Sequence, residues 1–226
     1  MKYLLMVVMC VISFSGLANN VNIKNLNELI QIMNKGINQH IKPEQAISQI
    51  YSCSNRGNTY CSALYGYQLY KTKDYASSYP LLISNAQLFK DVHLDIYASL
   101  ESAIAHMLTD GLGVNKNIEQ GQKHYENCAL TGNEFCAYNM ANIYLARSGT
   151  KANNYRDTQW DNYVRSYSWL KIDKKLGNKY IIMGNSDKQD ISEVLTTMQL
   201  LMGEERMKTG DKLSDEICAK IPNCVQ

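Results

Sequence analysis

The amino-acid sequence predicts an all-helical protein, and three observations lead to this prediction. Apolar residues recur with the 3.6-residue period of an α-helix along most of the 226-residue chain. No window alternates apolar and polar residues cleanly enough to require a strand. The phrase CSNRGNTYC, residues 53–61, returns as CALTGNEFC, residues 128–136, each with a central glycine. A phrase that recurs in this way predicts a repeated structural unit.

The helical period places nine helices along the chain. The second of them begins at Pro43, which suits the first turn of a helix because its missing backbone donor would be unpaired there. A further short helix is expected to end at Cys218, after which Ile221-Pro222 bends the chain so that Cys224 returns to it. The predicted helices are residues 25–37, 43–52, 59–71, 75–88, 91–110, 118–130, 133–147, 158–176 and 190–208.

The first eighteen residues, MKYLLMVVMCVISFSGLA, have the pattern of a secretory signal peptide. Lys2 precedes an apolar run from Tyr3 to Phe14, and the small residues Gly16 and Ala18 follow. The run is too short for a comfortable membrane span. We therefore expect cleavage after Ala18 and a single helical domain over residues 19–226, exported and without stable membrane insertion. A retained N-terminal anchor is the alternative.

Cleavage at Ala18 removes Cys10, which lacks the small preceding residues of a typical lipid-modified cysteine. Six cysteines remain, and an even number in an exported chain favours disulfides over free thiols. No Cys-x-x-Cys pair is present, so a zinc site is not expected.

The spacing within the two repeated phrases constrains the backbone between their cysteines. Residues eight apart in one continuous helix are separated by about 12 Å along its axis, whereas a disulfide tolerates roughly 4.4 to 6.8 Å between Cα atoms. The chain must therefore turn inside each phrase. Gly57 and Gly132 stand four residues after the first cysteine, where a helix can end in a left-handed residue before the next helix begins. Each phrase thus predicts a helix corner closed by a disulfide.

Charge and titratable residues indicate no catalytic, metal or cofactor site. The formal net charge is +2 with no long run of one sign, which disfavours a nucleic-acid partner. The four histidines are scattered without metal-ligand spacing. Ser148 and Ser168 each fit a Ser-x-x-Lys pattern, and Lys208-Thr209-Gly210 fits the Lys-Thr-Gly element of penicillin-recognising enzymes. Those enzymes carry that element on a strand facing the serine helix, whereas here it follows a helical pattern.

Three groups of residues between Gly111 and Gly149 form a recognisable pattern: Gly111-Leu112-Gly113-Val114, then Tyr125 with Cys128-Ala129, then Ala141 with Tyr144. These groups match the turn, the second helix and the next first helix of the Sel1-like repeat family, relatives of the tetratricopeptide repeats, which this stretch resembles. Weaker matches extend the resemblance over residues 48–177. It implies a right-handed superhelical solenoid of antiparallel helix pairs.

Two segments depart from the family pattern. Phe89 stands where a glycine is expected, and an insertion over residues 148–158 holds the polar run SGTKANNYRDT. The cysteines at 128 and 136 look like those of the cysteine-rich branch, in which such pairs join adjacent helices. Together with the repeated spacing, this favours one of the fifteen possible pairings. The predicted disulfides are Cys53–Cys61, Cys128–Cys136 and Cys218–Cys224.

The resemblance also implies a function. Stacked helix pairs present an extended surface that generally binds other macromolecules. We expect a non-enzymatic module that binds another protein in the bacterial periplasm or after secretion. Its partner would be a component of the envelope machinery, served by an adaptor, or a secreted toxin, neutralised by an immunity protein. The alternative is an enzyme acting on cell-wall or β-lactam substrates, as has been suggested for cysteine-rich relatives.

Positions for partner binding follow from the same architecture, in which the first helix of each pair tends to line the concave face. Outward positions on three such helices are therefore candidates, and tyrosine suits them because it buries a large area and keeps a polar tip. The alternative is that several of these tyrosines pack between helices. The candidates are Tyr67 and Tyr70 on 59–71, Tyr97, Glu101 and His106 on 91–110, and Tyr138, Asn142 and Arg147 on 133–147.

Overall fold

Helices make up most of the chain that the computed structural model describes, which is residues 22–38, 42–149, 156–183 and 187–224. The expected signal peptide, Cys10, His40 and most of the 148–158 insertion lie outside these ranges. The helices are α1 (Ile23–Asn38), α2 (Pro43–Asn55), α3 (Thr59–Lys71), α4 (Tyr75–Asn85), α5 (Leu94–Asp110), α6 (Ile118–Ala129), α7 (Glu134–Ser148), α8 (Asp157–Lys175) and α9 (Ile191–Cys218).

The predicted helices are confirmed, with differences at a few ends. Helix α4 stops at Asn85, and a 3₁₀ turn, Ala86–Phe89, replaces its predicted last residues. Helix α5 begins at Leu94 because the His93 ring accepts a hydrogen bond from the Ile96 N–H at 3.4 Å and caps the helix. Such a histidine cap leaves no strong signal in the sequence, since Ser, Thr, Asp and Asn are the usual caps.

The C-terminal helix is longer than predicted. Helix α9 runs to Cys218, and its backbone is non-helical only at Gly203, where φ is 75° and ψ is 171°. The predicted helix over 190–208 and the short helix ending at Cys218 are therefore parts of one element with a local break.

One antiparallel hairpin was not predicted. Strand β1 (Tyr180–Met183) pairs with strand β2 (Asp187–Asp190), with Tyr180 opposite Asp190. Strand β2 has the sequence DKQD, so it has no apolar residues from which an alternating pattern could be recognised.

The helix corners share one backbone design. At both repeated phrases the glycine has positive φ, 85° at Gly57 and 94° at Gly132, a region that favours glycine. The asparagine that follows caps the next helix through Oδ1, which accepts from the Cys61 N–H at 3.2 Å and from the Cys136 N–H at 3.1 Å. Both phrases thus read Cys-x-x-x-Gly-Asn-x-x-Cys, and the asparagine is as much a part of the corner as the glycine.

The predicted disulfide pairing is confirmed. Cα–Cα distances are 5.8 Å for Cys53–Cys61, 5.8 Å for Cys128–Cys136 and 5.4 Å for Cys218–Cys224. The first two disulfides are fully buried at their corners. Three disulfides in one chain indicate an oxidising environment, as exported proteins encounter.

The contacts of the described chain divide it into two compact units, one up to Gly121 and one from Gln122, whereas the sequence predicted one domain. In the first unit Tyr60, Phe89 and Ile104 belong to one buried cluster. The second unit buries Met140, Tyr167 and Ile172 almost completely. Each unit is continuous in sequence, as expected when each helix packs mainly against the helices next to it in the chain.

Candidate partner-binding surface

Helices α3 and α5 of the first unit bring three of the predicted partner-binding residues together. Tyr67 and Tyr70 stack with ring centroids 5.9 Å apart, and the His106 ring meets Tyr70 edge-on at 5.9 Å. Tyr75, at the start of α4, adds a fourth ring 5.8 Å from Tyr70. All four side chains are partly exposed. We call these four residues the tyrosine–histidine cluster.

A hydrogen-bonded relay runs through the cluster. The Tyr70 hydroxyl lies 2.8 Å from Nδ1 of His106, and Nε2 of His106 lies 3.2 Å from the Asp110 carboxylate, one helical turn further along α5. When Nε2 carries the proton and donates to Asp110, Nδ1 accepts from the Tyr70 hydroxyl. In this arrangement the exposed Asp110 carboxylate orients the His106 ring, and the ring in turn orients the Tyr70 hydroxyl.

Two tyrosines of the cluster, Tyr67 and Tyr70, have a raised pKa, which favours the neutral phenol. Burial raises the pKa of Tyr70 to about 12, with further contributions from Tyr67, Tyr75 and Asp110. Burial also raises the pKa of Tyr67, against a lowering hydrogen bond from Ser99. A phenol that stays protonated is a poor nucleophile, but it is well suited to recognition through its apolar ring and polar tip.

Tyr97 and Glu101 are not on this surface. Their side chains are only 2% and 3% exposed, so the prediction that they face a binding groove is wrong. Burial raises the pKa of Tyr97 to about 12, and Glu101 adds to the shift. Helix α5 is buried around most of its circumference, which a single apolar stripe in the sequence does not reveal. Its buried residues are Ile96, Tyr97, Ala98, Leu100, Glu101, Ala103, Ile104, Ala105, Met107 and Leu108.

The remaining predicted residues lie on α7 in the second unit. Tyr138 and Asn142 are half-buried and Arg147 is exposed. The Arg147 guanidinium lies 5.9 Å from the centre of the Tyr144 ring. Arg165 of α8 lies at the same distance from that ring. Arg165 and Tyr144 were not among the predicted binding residues.

A polar cleft of about 770 Å³ lies between α1 and the corner joining α2 to α3. Its one carboxylate, Glu28, is already engaged, because Arg56 and Asn58 both donate to it, at 2.5 and 2.9 Å. These hydrogen bonds hold the pKa of Glu28 below its usual value. The lining residues are Lys24, Asn25, Asn27, Glu28, Gln31, Arg56 and Asn58.

The residues of the penicillin-enzyme pattern occupy a helix crossing. Lys208-Thr209-Gly210 lies within α9 instead of on a strand, and Ser168 of α8 is fully buried. The Ser168 hydroxyl can donate to the carbonyl of Val164 at 2.8 Å or of Gly210 at 2.9 Å. A Cβ atom added at Gly210 would lie 2.6 Å from Cδ1 of Tyr167, so the two helices approach each other closely here.

The lysine and the other serine of the pattern are also engaged. The Lys171 ammonium donates to the Asp211 carboxylate at 2.6 Å, so it is engaged in an ion pair. Ser148 is buried, and its hydroxyl donates to the Leu145 carbonyl at 2.7 Å. The hydroxyls of Ser148 and Ser168 therefore bond to backbone carbonyls of the helices, as buried serines in packed helices do.

Three further observations bear on the class of protein. Within the described ranges, no three His, Cys, Asp or Glu side chains are grouped so as to hold a metal ion. None of the helices in the described part of the chain is long and apolar enough to span a membrane. Comparison with models of known protein families, with curated proteins and with solved structures gives no match to this chain.

Proposed function

We propose that this chain is an exported module of the Sel1-like type that binds another protein in the bacterial periplasm through the tyrosine–histidine cluster. One observation carries the proposal. Tyr67, Tyr70 and His106 were selected from the sequence as partner contacts, and two separate helices bring them into a single partly exposed group. Clustered aromatic side chains with fixed polar tips are typical of the residues that dominate protein interfaces.

The repeated corners support the solenoid part of the proposal. The backbone N–H of Asn58, Asp74 and Leu112 each bonds to the carbonyl of the residue five positions earlier, at 3.4, 2.9 and 2.9 Å. The same closing bond therefore recurs after α2, α3 and α5. A chain that uses one corner again and again stacks helix after helix, as repeat proteins do.

The three disulfides support export, and the tyrosines support binding in place of catalysis. In the cluster the pKa of both Tyr67 and Tyr70 is shifted upward, away from the range in which a phenol acts as a base or nucleophile at neutral pH. Two roles fit such a module, an adaptor for envelope machinery and an immunity protein that neutralises a secreted toxin.

Affinity capture tests the proposal. Wild-type protein immobilised through a C-terminal tag is exposed to a periplasmic extract, and retained proteins are identified by mass spectrometry. We expect one dominant partner, and its loss with Tyr70→Ala combined with His106→Ala. Tyr51→Ala is the matched control, since Tyr51 is an exposed aromatic on α2 outside the cluster, 47% exposed.

Two outcomes would refute the proposal: capture of no specific partner, or equal capture by the cluster variant and the wild type. A toxin as partner selects the immunity role, and an envelope component selects the adaptor role.

A further inference from the structure

We infer that the second unit carries an anion-recognition surface, formed by Arg147 and Arg165 on the Tyr144 ring, that binds carboxylate side chains of an acidic segment of the partner protein. We call these two residues the arginine pair. The inference rests on the proposed function, because it names the chemistry of the partner that the module would bind.

The geometry of the arginine pair is defined by one ring. Both guanidinium carbons lie 5.9 Å from the centre of the Tyr144 ring, so they are at most twice that distance apart. Gln122 of α6 donates to the Tyr144 hydroxyl at 2.8 Å, which fixes the tip of the ring. Arg147 belongs to the last turn of α7 and Arg165 to the middle of α8. Three helices of the second unit thus hold the platform and its two cations.

The two charges have no carboxylate partner within the described ranges. Among the described residues of the second unit, the ion pairs are formed by lysines, for example Lys171 with Asp211 and Lys175 with Asp215. Asp161 precedes Arg165 by one helical turn, yet no ion pair joins the two. The sequence itself contains no Asp or Glu between Glu134 and Asp157, a stretch that includes Arg147. Residues 135–156, on either side of Arg147 in the sequence, therefore supply no carboxylate that could pair with it.

Two like charges held near one ring repel each other, and an anion between them relieves that repulsion. A guanidinium placed over an aromatic ring can keep an N–H edge available, and this planar fork matches a carboxylate in bidentate geometry. The contact with the ring also restricts the side chain before a ligand arrives, which lowers the entropic cost of binding. The arginine pair is thus prepared to receive carboxylates.

Carboxylates of a protein fit this surface better than a nucleic acid or an anionic membrane does. Binding to a phosphate backbone or a lipid surface gains from long rows of cations. The chain has a net charge of only +2 and no long basic run. Two guanidiniums over one ring match two acidic side chains of a folded or extended partner segment.

The probe for the experiment is a fluorescein-labelled peptide of twelve residues that alternates glutamate and serine, with a glutamine–serine peptide as its neutral counterpart. Binding is followed by fluorescence anisotropy with the full mature protein at low and high salt. We expect the glutamate peptide to bind, the glutamine peptide not to bind, and the affinity to fall as salt rises. Arg147→Gln combined with Arg165→Gln should weaken binding at least about tenfold.

Two further variants separate the arginine pair from charge in general. Lys90→Gln combined with Lys212→Gln removes the same net charge at exposed positions outside the pair and should leave the affinity unchanged. Arg147→Lys combined with Arg165→Lys keeps the charge but loses the planar forks, and should bind with intermediate affinity. Circular dichroism and the melting temperature confirm that each variant is folded.

Several outcomes would overturn the inference. These are absence of binding by the wild type, equal weakening by the two lysine substitutions, and binding to phosphatidylglycerol vesicles without binding to the glutamate peptide. The inference and the proposed function can fail separately. If affinity capture returns a partner and the Arg147→Gln/Arg165→Gln protein captures it equally well, only the arginine pair is refuted. If capture returns no partner, the proposed function fails.

Discussion

Asp173 occupies at its helix corner the position that Cys53 occupies at the first disulfide corner. In each corner the carbonyl of that residue accepts a hydrogen bond from the backbone N–H of an asparagine five residues later, at 3.4 Å from Asn58 to Cys53 and at 3.2 Å from Asn178 to Asp173. Both positions are fully buried. A carboxyl group therefore lies where the other corner places a disulfide, and its charge depends on pH.

The first prediction concerns stability and pH at Asp173. Burial raises its pKa to about 7, although hydrogen bonds from Asn178 lower it and Glu134 raises it further. Because the folded pKa lies above the ordinary value of 3.8, the contribution of this group to stability is complete below about pH 4 and is lost as the pH rises through about 7. Asp173→Asn mimics the protonated form, so it should raise the free energy of unfolding by roughly 2–4 kcal/mol at pH 8.

Urea unfolding of both proteins at pH 4 and pH 8 measures this effect. The gain should be present at pH 8 and close to zero at pH 4. Asp161→Asn, an exposed aspartate on the same helix, is the control and should change little at either pH. A gain of equal size at both values of pH would contradict ionisation of Asp173 as its cause.

The second prediction concerns the disulfide corners. Cys128→Ala combined with Cys136→Ala should lower the free energy of unfolding by about 2.5 kcal/mol, the loop-entropy value for a nine-residue loop. Alanine leaves the buried site nearly filled, so most of the loss should come from the lost covalent link. Urea unfolding with and without reductant measures it, and the reductant should affect the variant less than the wild type. Peptide mapping of the unreduced protein that links Cys61 to Cys128 would show that the pairing is different.

The helices and their disulfides were predictable because they depend on local pattern. Periodicity, glycine and cysteine spacing act over a few residues, and both repeated phrases contain all the groups that close their corners. The burial of Tyr97 and Glu101 was not predictable, since it depends on which other elements cover α5. Arg165 carries no local signal either, because its role depends on a ring contributed by another helix.

The third prediction separates a core tyrosine from a surface one. Tyr97→Ala should lower the free energy of unfolding by about 3–5 kcal/mol, as removal of a large buried aromatic does. Tyr70→Phe keeps the ring and loses only the hydroxyl that meets His106, so it should lower stability by about 1 kcal/mol. Chemical denaturation of the two variants beside the wild type measures the difference. A Tyr97→Ala protein as stable as the Tyr70→Phe protein would mean that Tyr97 is not in the core.

The fourth prediction concerns Ser168, the serine of the penicillin-enzyme pattern. Its hydroxyl is buried and can donate to the carbonyls of Val164 and Gly210, and Lys171 is paired with Asp211. The hydroxyl is therefore neither accessible to a substrate nor placed beside a free base. Ser168→Ala should lower the free energy of unfolding by about 1 kcal/mol and leave partner capture unchanged.

A labelling experiment tests the serine directly. Wild-type protein incubated with a fluorescent penicillin should remain unlabelled on a denaturing gel, with a known penicillin-binding enzyme as the positive control. Covalent labelling that a folded Ser168→Ala protein loses would instead establish an acyl-transfer site at this helix crossing.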